Sequence, residues 1–126
     1  MPYLLVGLGG FIGANARYVL ARVIGTAVLT RFPLGTFVIN VTGSFLLGVL
    51  GTVVAARLTP AAQSMRLALG VGFLGAYTTF STFEFETHAL VEDGAWLLAT
   101  SNVAASVVAG FVAVRLGVAL ARAWLI

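Results

Sequence analysis

Four apolar runs divide the chain, at about 3–25, 34–56, 65–90 and 95–124, and each exceeds the ~20 residues that carry an α-helix across a hydrocarbon core. The connections between them, Thr26–Pro33, Arg57–Ser64 and Val91–Gly94, leave no room for a second, soluble domain. With 60% of its residues hydrophobic and 9% charged, a chain of 126 residues has too little polar surface to cover its apolar side chains in water. Backbone in lipid must satisfy its own hydrogen bonds, so the predicted fold is all-α and integral to the membrane: one transmembrane domain over residues 1–126 with four transmembrane helices. Ala14-Asn15-Ala16 mimics a signal-peptide cleavage site, but no basic region precedes it, and the first run reads as a retained span. There is no cysteine, which removes disulfide and thiolate chemistry.

Charge says little about orientation. The net charge of +3 comes from arginines alone, without a basic run that would suit nucleic acid, so the excess belongs at lipid headgroups. Arg57, Arg66 and Arg122 fall at the amino-terminal end of the bundle, and Arg22 and Arg31 at the other. The positive-inside rule acts on larger differences than this. Two readings stand: a weak bias corrected during insertion, or dual topology, in which copies insert both ways and pair antiparallel about a two-fold axis in the membrane plane. Small residues recur at four-residue spacing in Gly9/Gly13, Ser44/Gly48/Thr52 and Ser106/Gly110, which predicts close helix contacts.

The third run contains GFLGAYTTFSTFEFET, residues 72–87. Gly72 and Gly75 weaken a helix and the β-branched pair Thr78-Thr79 follows at once, so the third helix is expected to break near its middle. Unwound backbone at membrane depth survives only where protein covers it or where it binds something. The upstream half-helix would end in carbonyl oxygens suited to a small cation; the downstream half would begin with N–H groups and the hydroxyls of Thr79, Ser81 and Thr82, suited to an anion. Phe80 and Phe83, three residues apart, share a face of the resumed helix. They are either packing or a pair of electropositive ring edges for an anion.

Other polar residues in the spans carry paired readings. Asn40, in GTFVINVTGSFLLG, is an interhelical hydrogen bond or an uncharged anion donor. Arg17 either snorkels to the interface or raises the local potential for anions. Glu84 and Glu86 point to different faces and do not form a catalytic pair; Glu86, nearer the Thr79/Thr82 hydroxyls, suits a pore mouth or the lipid interface. His88 is interfacial, with no metal-ligand cluster around it. Asn102 and Ser106 lie on one stripe, as a polar path or as helix glue.

Three segments, GLGGFIGANARY at 7–18, GTFVINVTGSFLLG at 35–48 and GFLGAYTTFSTFEFET at 72–87, resemble the small fluoride channels called Fluc or CrcB. The resemblance covers three of the four spans, with the TTFSTF run its most specific part. It implies a multi-pass protein of an inner or plasma membrane that exports fluoride by passive conduction, built as an antiparallel dual-topology homodimer with two pores and a structural sodium ion at its centre. It further implies sodium ligation by the backbone carbonyls of Gly75 and Thr78, ring edges from Phe80 and Phe83, a pore amide from Asn40 and a hydroxyl track through Ser81, Thr82 and Ser106. Arg17 would be the family's first-span arginine, and Glu86 would sit near a pore mouth. Ala76 stands where the family often has glycine, and Gly110 and Val114 offer no hydroxyl where the track would continue.

Two rivals share the outline. A small proton-coupled multidrug exporter needs a carboxylate deep in the membrane, whereas the first span has none and the only membrane acids lie late in the third. A noncatalytic membrane scaffold would use the polar residues for packing alone. An enzyme is not expected, since no nucleophile with a base, metal cluster or phosphate-cradling loop is present.

Overall fold

The computed structural model describes residues 1–126 and is helical throughout, without strands. α1 (Pro2–Ala27), α2 (Leu34–Ala55) and α6 (Trp96–Leu125) are each long and apolar enough to cross a membrane. The third crossing is segmented. It runs through α3 (Pro60–Met65), a π-helical stretch (Arg66–Leu74) and the single turn α4 (Gly75–Tyr77), then two extended residues, then α5 (Phe80–Glu92).

Helix in the third crossing begins at Pro60, earlier than the apolar run suggests. Thr59 caps it, its Oγ1 accepting from the Ala62 N–H at 3.2 Å, and Pro60 stands at the first helical position, where its missing N–H costs nothing. After α5, Gly94 takes a φ of 73° and turns the chain into α6.

α1 packs against the π-helical stretch and α4, and α2 packs along α6. Both contacts bring backbone to backbone. A side chain at Gly9 would run into the Ala68 carbonyl, at Gly13 into the Phe73 backbone, at Gly48 into the Val114 backbone and at Gly117 into the Phe45 carbonyl. Gly9, Gly13 and Gly48 belong to the expected small-residue stripes; Gly117 lies beyond them. Only 18 of the 126 residues are buried, and large side chains such as Phe11 and Phe111 face outward. Lipid tails are as apolar as leucine, so this exposure costs little in a bilayer, and close packing holds the bundle.

The expected break is present, but its glycines do other work. Gly72 lies inside the π-helical stretch, where a Cβ would meet the Val6 carbonyl and the Gly9–Gly10 backbone; it permits the contact with α1. Gly75 keeps right-handed helical backbone (φ −62°, ψ −35°). The chain leaves the helix at Thr78 (φ −82°, ψ 156°) and Thr79 (φ −150°, ψ 115°), the β-branched pair, for which extended backbone is the preferred state.

Candidate functional site

Two extended residues at membrane depth leave donors and acceptors that need partners. Asn40 of α2 supplies them from 39 positions away. Its Oδ1 accepts from the Thr79 N–H at 2.8 Å, and its Nδ2 donates to the Thr79 carbonyl at 3.0 Å. Thr79 in turn caps α5: its Oγ1 accepts from the Thr82 N–H at 3.2 Å and donates to the Thr82 hydroxyl at 3.0 Å.

These bonds decide which carbonyls are left over. In a continuous helix the Thr79 N–H would serve the Gly75 carbonyl and the Thr82 N–H the Thr78 carbonyl. Both donors are diverted to side-chain oxygens. The Thr78 hydroxyl does not substitute, because it donates back to the Leu74 carbonyl at 2.9 Å. Gly75 and Thr78 therefore present uncharged, partly negative oxygens at the end of a half-helix, a donor set that fits a small hard cation such as sodium.

The break separates two clefts, and Thr79 is the one lining residue they share. The first, about 370 Å³, is lined by Asn40, Ser44, Gly75, Phe80, Phe83 and Ser106 among others. Phe80 and Phe83 meet there with ring centroids 5.8 Å apart at an interplanar angle of 49°. Phe83 is buried, whereas Phe80 is 75% exposed and projects from the chain. The second cleft, about 320 Å³, is lined by Arg17, Tyr18, Thr36, Thr82 and Glu86. Glu86 is half-buried; its Oε1 accepts from the Thr36 hydroxyl at 2.8 Å and its Oε2 is enclosed without a partner. Arg17 is half-buried beside this cleft.

The residues expected to act together thus fall into two groups. Asn40, Gly75, Thr78, Phe80, Phe83 and Ser106 line one cleft; Arg17, Thr82 and Glu86 line the other; Ser81 is exposed and borders neither. Ser106 belongs to a relay in which its hydroxyl donates to Asn102 Oδ1 at 3.3 Å, Asn102 Nδ2 donates to the Thr87 hydroxyl at 2.9 Å, and Thr87 donates to the Phe83 carbonyl at 2.8 Å. Asn102, 1% exposed, joins α6 to α5 through this relay.

Three positions were missed in the sequence. At Gly43 a Cβ would overlap the methyl of Thr78, so glycine lets the extended residue lie against α2. Thr36 holds Glu86. Both share a helix face with Asn40, at i+3 and i−4, and that spacing was the available signal. Tyr77 stacks on Phe73 at 5.7 Å and shares a 2.9 Å hydrogen bond with the Thr42 hydroxyl, anchoring the last residue before the break; no local pattern announces that pair.

The fold and the site define a small multi-pass membrane protein built around a broken helix, an arrangement that membrane proteins use to handle ions. Residues 4–118 match the family described as CrcB-like protein, Camphor Resistance (CrcB), and the chain belongs to that family. It is 50% identical over 122 residues to "Fluoride-specific ion channel FluC" of Solibacter usitatus, covering 97% of this chain and 99% of that one. It is 48% identical over 126 residues to "Fluoride-specific ion channel FluC 1" of Frankia casuarinae, covering 98% of each. "Fluoride-specific ion channel FluC" of Acidobacterium capsulatum is 50% identical over 119 residues, covering 93% of each.

Proposed function

We propose that this chain is a passive, fluoride-selective channel, and not an enzyme, that works as an antiparallel homodimer. Family membership and the relatives' descriptions support fluoride as the transported ion. The observation that carries the mechanism is the double hydrogen bond from Asn40 to Thr79, which holds the break open beside Phe80 and Phe83.

In the first cleft a fluoride that sheds part of its water would meet donors without formal charge. These are the Asn40 Nδ2 proton that Thr79 does not use, the Ser106 hydroxyl once it turns away from Asn102 Oδ1, and the ring edges of Phe80 and Phe83. Each contact is weak, so the ion can leave as readily as it enters. Phe80, projecting from its own chain, would reach the cleft of an antiparallel partner, giving two pores related by the two-fold axis. Thr82 would extend the hydroxyl lining past the break. Glu86 and Arg17 would set the potential at the pore mouth on that side, where the two line one cleft. Ser81, exposed on α5, would join the track only through the partner.

Sodium, when bound, supplies a fixed positive charge at the centre of the dimer. The Gly75 and Thr78 carbonyls would hold it, two from each chain. The test is efflux from liposomes containing the purified protein, with and without sodium. Fast loss of fluoride with chloride retained, weakened when sodium is replaced by a larger cation, is the expected result. A fluoride gradient that holds would overturn the proposal, and proton-driven loss of a lipophilic cation would favour the exporter instead.

A further inference from the structure

A groove of about 770 Å³ runs between α2 and the start of the third crossing, away from both clefts' hydroxyl-rich walls. Its upper rim is formed by Arg57 and Thr59 of the α2–α3 connection, Gln63 of α3 and Arg66 at the start of the π-helical stretch; its lower walls are apolar, with Leu50 and Val54 among them. We propose that this groove is a binding site for one anionic phospholipid, its phosphate between the Arg57 and Arg66 guanidiniums and an acyl chain along the apolar walls.

Charge complementarity supports the headgroup. Both arginines are exposed, and the one hydrogen bond made by any arginine side chain in the protein belongs to Arg22. All four acidic side chains, Glu84, Glu86, Glu92 and Asp93, lie in α5 or in the turn after it, beyond the break. No acidic side chain therefore stands at this end of the bundle. Two guanidiniums offer the forked donors that match a phosphate, at the depth where lipid phosphates lie.

The gradient of polarity decides between a lipid and a free anion. Below the arginines the groove offers only aliphatic side chains and glycine down to Leu47 and Gly70, which it shares with the first cleft. A hydrated ion would lose its water there with no donor to replace it. An acyl chain gains contact along the same path. Gly51, where a Cβ would have nothing within 4 Å, leaves a slot in the α2 wall that a hydrocarbon tail can fill.

The test is native mass spectrometry of the detergent-purified protein with phosphatidylglycerol or phosphatidylcholine added, independent of any conduction assay. Wild type should retain phosphatidylglycerol over phosphatidylcholine by about fivefold or more. The R57Q/R66Q variant should lose that preference. G51L, which fills the slot and favours helix, should reduce retention of both lipids while leaving the arginines in place. Wild-type elution on gel filtration establishes that each variant is folded. Equal retention of the two lipids by wild type, or a preference unchanged in R57Q/R66Q, overturns the proposal. Displacement of phosphatidylglycerol by inorganic phosphate, with G51L behaving as wild type, would make the arginines a site for free phosphate and overturn it equally. A shift in oligomeric state in G51L would identify a second copy as the occupant.

Discussion

Asn40 uses both ends of its side-chain amide on the backbone of one residue. Replacing it by leucine leaves the Thr79 N–H and carbonyl unpaired at membrane depth, at about 1–3 kcal/mol for each group. N40L should therefore lower the thermal midpoint of the purified protein as well as fluoride flux, whereas loss of a pore donor alone would lower flux and leave the midpoint unchanged. Gly43 and Thr78 offer a sharper test. Alanine at 43 collides with the Thr78 methyl, and overpacking of this kind costs roughly 1–3 kcal/mol. Serine at 78 removes that methyl and keeps the hydroxyl that bonds the Leu74 carbonyl. In a double-mutant cycle, G43A should be destabilising and T78S should recover most of the loss; additive effects would show that the two side chains do not meet as described.

At the scale of elements, the third crossing is held from two sides. α1 lies against the π-helical stretch through Gly9 and Gly13, while α2 reaches the break through Asn40 and Gly43. π-Helical turns are uncommon and cluster at functional positions; here the stretch ends at Leu74, and the N–H of Gly75 just after it still donates to the Gly70 carbonyl five residues back. Glycines that serve packing and glycines that face open space should behave differently. G13A places a methyl on the Phe73 backbone and should cost about 1–3 kcal/mol. G7A, with nothing within 4 Å of its Cβ, should be neutral or stabilising by up to about 1 kcal/mol. Heat denaturation of the two variants side by side separates the roles. The existence of the break was legible locally, in Thr78-Thr79 following a glycine-rich turn, because β-branched residues state a backbone preference that needs no partner. The early start at Pro60 was also local, in Thr59-Pro60, though hidden by hydropathy that rises only after Arg66.

For the whole molecule the thin bundle is informative. Phe80 projects with 75% of its surface exposed, and a partner that covers it would complete the first cleft. F80I/F83I should then abolish fluoride efflux while the dimer still elutes intact; unchanged flux would refute the role of the rings. The proposed antiparallel assembly makes a further demand on insertion. Leu29 is 94% exposed in the connection between α1 and α2, and L29R/T30R adds two positive charges to that end. Such a bias should orient every copy alike and remove activity in cells. Co-expression with A56R/L58R, biased the opposite way, should restore it. Full activity of L29R/T30R alone would mean that parallel copies suffice.

What the sequence determined by itself is what depends on local composition: four crossings, a third one interrupted at Thr78-Thr79, close contacts at Gly9, Gly13 and Gly48, and the motifs that mark the family. Tertiary structure decided which donors the break keeps and which carbonyls it releases, since the atoms that settle this, Asn40 and Thr79, are 39 residues apart. It also divided the polar residues between two clefts and left Ser81 outside both. The reason is physical. A backbone preference is a property of a few adjacent residues, whereas a hydrogen bond between two helices exists only when packing has set their rotation and depth.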